Sequence, residues 1–106
     1  DMVNKGILRY PNDPHLLDTR GLLLFKQGNY ELARRDLEKG LSLMGNAATP
    51  AQRASTLFTL GRAYFKLQQM PLAAARLNET LEIDQQQKVL SPKDRVELLL
   101  LLDMVR

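Results

Sequence analysis

Apolar residues along the chain return at three- and four-residue steps, and short polar clusters interrupt them. Leu16, Leu17, Leu23, Leu24 and Phe25 fit one helical stripe. Asp13-Pro14 opens it, because Asp caps a helix and Pro is pre-shaped for the first helical position. Gly28-Asn29 closes it, since both residues tolerate positive φ. A second helix carries Tyr30, Ala33, Leu37, Leu41 and Leu43 inward and ends at Gly45-Asn46. Its outer face is expected to pair Glu31 with Arg35 and Arg34 with Glu38, four residues apart in each case. Thr49-Pro50-Ala51-Gln52 is a capping-box pattern: the hydroxyl caps, and Gln reaches back. It opens a helix carrying Ala54, Leu57, Leu60, Tyr64 and Leu67. After a turn near residues 68–71 that lacks glycine, a partner helix carries Leu72, Ala73, Leu77, Leu81 and Ile83. A polar exit at residues 85–87 follows, and Ser91-Pro92-Lys93-Asp94 repeats the box before a last helix through Val96 and Val105. No sustained alternation of period two suggests a strand.

These elements repeat. GLLLFKQGNYELARRDLEKGL (21–41) and GRAYFKLQQMPLAAARLNETL (61–81) share Gly, Phe, Lys, Leu, Ala, Leu and Leu at an offset of 40. TPAQRASTLFTL (49–60) and SPKDRVELLLLL (91–102) match in hydroxyl, Pro, Arg and leucines at an offset of 42. Gly6-Ile7 precedes Gly40-Leu41 by 34 residues. A fixed period in this range marks stacked supersecondary units. Two short antiparallel helices cannot bury both faces alone, so each hairpin covers its neighbour. Only the seam residues are then constrained. The expected fold is all-α, a solenoid of antiparallel helix pairs with about six helices. Its expected divisions are 1–13 (the end of a preceding second helix), 14–47 (one repeat), 48–87 (a repeat with an extended first helix) and 88–106 (the first helix of a further repeat).

Leu57, Leu60-Gly61, Tyr64, Ala73 and Leu77 stand at the spacings of the tetratricopeptide signature, which this skeleton resembles. Leu17, Gly21, Leu24, Ala33 and Leu37 match it less fully. Gly6, Gly40 and Thr80 fall where that family has a small residue, and Pro11 matches its closing proline, whereas Gly45 and Gln85 do not. Arg20 replaces a usual Leu, Asp103 a usual Gly, and the spacing is lengthened to 40–42 residues. The resemblance implies a protein–protein interaction scaffold whose first helices line an inner groove holding an extended peptide or a partner helix. Carried over position by position, the groove set is His15, Asp18, Leu22, Phe25 and Lys26 from the first full unit. The second unit gives Ser55, Phe58, Thr59, Arg62, Phe65 and Lys66, and the last helix gives Leu100. Helical geometry independently puts Phe58, Arg62, Phe65 and Lys66 on a side distinct from Leu57, Leu60 and Tyr64. Aromatics beside cations suit a partner with apolar anchors and carboxylates. Phe25 and Phe65 read equally well as filler between neighbouring first helices.

Charge and composition change this picture little. The net charge is +3, but cations and anions are interleaved, and the groove set contains Asp18, so nucleic acid is not expected as a partner. The sequence has no cysteine, which excludes disulfides and thiolate metal sites. No phosphate loop, metal-ligand spacing or nucleophile elbow is present, so neither a cofactor, a metal nor an enzymatic activity is expected. His15 is the only histidine and lacks a dyad partner. Asn78-Glu79-Thr80 fits a glycosylation acceptor but lies inside an expected helix. The longest apolar run, Leu98–Leu102, is far too short to span a bilayer. It reads as a first helix buried on both sides, or else as an exposed patch. In the second case it could join Met2, Val3 and Ile7 of another copy end to end, which makes this a self-assembly, spacer or regulatory segment of a larger protein. No signal peptide is visible, which favours the cytoplasm, although a targeting segment ahead of a first residue other than Met would not be seen.

Overall fold

Six helices follow one another, with no strand among the described residues: α1 (Met2–Arg9), α2 (Pro14–Lys26), α3 (Tyr30–Leu43), α4 (Pro50–Lys66), α5 (Met70–Gln87) and α6 (Pro92–Val105). The structure is a computed structural model that describes residues 2–106. Local chemistry sets most of the helix ends. Asp13 Oδ1 accepts from the His15 N–H at 2.9 Å. Thr49 and Gln52 make both bonds of the capping box, at 2.9 and 3.1 Å. Ser91 makes only the forward bond, from the Asp94 N–H at 3.1 Å. Asp is one methylene shorter than the Glu or Gln that closes the box.

The two hairpin turns are built alike. The N–H of Asn29 bonds Leu24 O and that of Gly28 bonds Phe25 O; Gln69 and Gln68 do the same to Tyr64 O and Phe65 O. Both turns are therefore Schellman motifs. Gly28 has φ +84° and Gln68, in the corresponding place, has φ +61°. The missing glycine at the second turn thus leaves its backbone shape unchanged.

Close approach at glycine shows the antiparallel packing. Gly21 lies against Leu37 while Gly40 lies against Leu17, and Gly61 lies against Leu77. Ala33 and Ala73, equivalent in the two full units, are both wholly buried. The continuous core joins Ala33, Leu37, Leu60, Tyr64, Ala73, Leu77, Leu98 and Leu102 across α3 to α6. It explains why the leucine skeleton repeats while solvent-facing residues drift.

The molecule measures 40 × 29 × 21 Å. Each second helix packs on the first helices before and after it. First helices also meet directly, α2 with α4 and α4 with α6, whereas no such backbone contact joins α1 to α3 or α3 to α5. The array is therefore closed on the first-helix side and splayed on the other.

Several sequence expectations shift in detail. Arg34 pairs with Glu31, and Glu38 instead accepts from Tyr64 and Arg76, because the neighbouring hairpin offers donors that α3 itself does not. Leu72 and Leu43 lie on exposed faces. Of the leucine run, Leu98 and Leu102 are buried, while Leu99 and Leu100 are 50% and 62% exposed. Among the described residues no helix covers the far side of α6.

Candidate functional site

The first-helix side carries the residues expected in the groove, at different depths. Phe58 and Thr59 are buried, Leu22, Asp18, Phe25, Arg62 and Phe65 are half-buried, and His15, Lys26, Ser55, Lys66 and Leu100 are exposed. Phe58 and Thr59 thus lie deepest on that side. Lys26 and Lys66 end α2 and α4 in matching positions and leave two cations in solvent.

At the seam between α2 and α4, the Thr56 hydroxyl donates to Asp18 Oδ1 at 2.7 Å. Burial raises the Asp18 carboxyl above its ordinary value, and the Thr56 bond and the nearby His15 only partly oppose this. Asp18 is tied into the seam, so it adds less negative character to the surface than the sequence suggests.

Farther along the same seam sits Arg62. Its guanidinium lies 4.5 Å from the Phe58 ring centroid, on its own helix, and 4.9 Å from that of Phe25 on α2. Phe25 is itself braced edge-on by Tyr30, at a centroid distance of 5.3 Å. Phe25 thus sits in the seam between α2 and α4, with its ring against the half-buried Arg62 guanidinium. Phe65 packs against the core. Leu100 lies outside this cluster, on the outward stripe of α6 with Val96, Leu99 and Met104.

One residue of the cluster was absent from the expected set. Glu97 of α6 holds Oε2 at 3.8 Å from Arg62 Nη1. The 42-residue offset that places Leu100 opposite Phe58 also places Glu97 opposite Ser55, so the signal was present in the repeat alignment.

A hollow lies elsewhere. About 660 Å³ opens between α1, α2 and α3, lined by Leu23, Leu24, Leu32, Arg35 and Lys39 among others, and no member of the expected groove set lines it. In the next unit, Tyr64 takes the place of Leu24 and donates to Glu38, which also accepts from Arg76.

No group of His, Cys, Asp or Glu that could hold a metal ion occurs among the described residues, and no described helix is long and apolar enough to cross a membrane. A family model for the tetratricopeptide repeat matches residues 14–86. No curated protein and no solved structure matches the sequence.

Proposed function

Because the chain belongs to the tetratricopeptide repeat family, we propose that it is a protein–protein interaction scaffold whose first-helix side receives a peptide or helix carrying apolar anchors and carboxylates. The observation that carries this reading is the Arg62 guanidinium stacked between Phe25 and Phe58, flanked by the exposed Lys26 and Lys66. Such a cation is oriented before a partner arrives, so little side-chain entropy is lost on binding. The two lysines add reach and charge steering.

Peptide display on the purified protein tests this. Selected sequences should combine Asp or Glu with an aromatic or aliphatic residue, and the Lys26→Glu/Lys66→Glu variant should bind them about tenfold more weakly. Selection of the same peptides at equal affinity by that variant would remove the reading.

A second reading, self-association, is favoured by one observation: Val96, Leu99, Leu100 and Met104 form an exposed apolar stripe on α6. Light scattering at rising concentration decides it. A strict monomer throughout would eliminate this alternative.

A further inference from the structure

Arginines of this protein face carboxylates across helix boundaries at several points, and one of them is unlike the others. Arg20 grips Asp36 with two bonds, Nε at 2.6 Å and Nη2 at 2.9 Å. Arg95 grips Asp84 in the same manner, at 2.6 and 3.1 Å. In both, the carboxylate side chain is largely buried, 12% and 4% exposed. These are the two-point pairs expected of a structural arginine. Arg76 divides its donors between Glu38 and Glu79, at 2.9 and 2.7 Å.

Arg62 has no such partner. Its Nε is buried and meets no acceptor. Nη2 reaches Thr59 Oγ1 only at 3.5 Å, the outer limit of a hydrogen bond. Nη1 stands 3.8 Å from Glu97 Oε2, beyond hydrogen-bond reach, and the Glu97 side chain is 40% exposed. A guanidinium has five donors. Here they are held between two rings with no acceptor at normal distance, an arrangement that leaves donor capacity unused at a partly desolvated site. Phe25 and Phe58 fix the cation, whereas nothing comparable fixes Glu97.

We propose that Glu97 is an internal stand-in for a partner's carboxylate, occupying the approach to Arg62 until an incoming carboxylate displaces it. This rests on the reading of the first-helix side as the partner surface and adds its regulation. Arg62 remains between its rings during the exchange, while Glu97 swings into solvent. The long, single-point contact lets Glu97 balance the charge of Arg62 without competing as a two-point ligand does. The ligand chemistry is the side-chain carboxylate of an Asp or Glu in the partner, and preference for a terminal carboxylate is an outcome of the test that counts against it.

The test is a titration of the whole protein followed by NMR at the Arg62 Nε–H and the Phe58 ring. The probes are N-acetyl-aspartate amide, for an aspartyl carboxylate, and N-acetyl-glycine, for a terminal one. N-acetyl-asparagine amide is the uncharged control, and ionic strength is held constant. Glu97→Gln keeps the shape of a half-exposed side chain and removes its charge. Its midpoint with the aspartyl carboxylate should fall roughly two- to fivefold below that of the parent, the range of an exposed ion pair. The control should move neither signal. Equal midpoints in parent and variant overturn the stand-in role while leaving the carboxylate site intact. Unmoved Arg62 signals in both proteins overturn the carboxylate site itself, and the stand-in with it. Should Glu97→Gln alter the fold, seen by circular dichroism, Glu97→Asp supplies the second variant. The shorter side chain withdraws the carboxylate from Arg62, so its midpoint should also fall, and an unchanged value counts against the proposal.

Discussion

A Cβ built on Gly61 would lie 2.6 Å from Cδ2 and 2.7 Å from Cγ of Leu77. Gly21 stands in the same relation to Leu37, at 2.8 and 2.6 Å. In each hairpin a leucine of the second helix fills the space that a side chain on the first helix would need. Gly61→Ala and Gly21→Ala should each destabilise the fold by about 1–3 kcal/mol, because Leu77 and Leu37 are wholly buried and cannot swing away. Gly45→Ala, which meets nothing within 4 Å, is the control. Urea melts of the three variants check this, with the midpoint of Gly45→Ala near that of the parent.

The second hairpin turn holds a left-handed residue with a side chain. Gln68 adopts φ +61° where Gly28 adopts φ +84°. Gln68→Gly should therefore stabilise the fold by roughly 0.5–1 kcal/mol, the strain relieved exceeding the entropy that glycine adds to the unfolded state. Gly28→Ala should shift stability the other way. A rise in the thermal midpoint for the first and a fall for the second is the expected pair of results.

Two aspartates respond oppositely to acid. Asp84 accepts from Arg95 and from the Leu90 N–H, and these bonds hold its carboxyl below the ordinary value of 3.8. Its stabilisation is fully present above pH 3.8 and is lost as pH falls through the lower folded-state value. Asp18, raised by burial, has a folded-state value above 3.8. Its ionised form is disfavoured by the fold, so stability is gained as pH falls through that raised value. Asp18→Asn should accordingly raise the melting temperature at neutral pH, and its advantage should vanish below pH 3.8. Asp84→Asn should lower it at neutral pH and flatten the acid limb. Thermal melts across the acid range distinguish the two.

Tyr64 is buried, and its hydroxyl donates to Glu38. Burial first, then that carboxylate, pushes the phenol up to about 12. An absorbance titration at the phenolate band should show one tyrosine ionising near that value, and Tyr64→Phe should remove that step. The same variant should cost about 1 kcal/mol, the usual net worth of a hydrogen bond, since Glu38 keeps Arg76 at 2.9 Å. Loss of a different titration step would refute the assignment.

Features that depend on spacing within one helix were legible in the sequence. Leu57, Leu60, Gly61 and Tyr64 announce a buried face on their own, and Thr49 with Gln52 announces a cap. Features that depend on how two helices align were not. Arg20 meets Asp36 across 16 residues and Arg76 meets Glu38 across 38. A pattern of charges four apart on α3 suggested Arg34 with Glu38, but the Tyr64 hydroxyl and the Arg76 guanidinium of the next hairpin approach Glu38 instead. At the candidate site, the side shared by Phe58, Arg62 and Phe65 follows from helical period. The insertion of Arg62 between rings from two different helices does not, because it depends on the distance between α2 and α4. Leu98–Leu102 illustrates a further gap: five identical side chains give no periodicity, so only the neighbours of α6 decide which are covered.

The splayed arrangement of the second helices has a mechanical consequence. Between α3 and α5, a long side chain, Arg76 on Glu38, bridges where backbones do not touch. Rotation that draws those helices together has room to proceed, and it parts the first helices as it does. Rotation in the opposite sense is opposed by the direct contacts of α2 with α4 and of α4 with α6. Closing of the second-helix side is thus the less opposed motion, and it would widen the surface that holds Arg62.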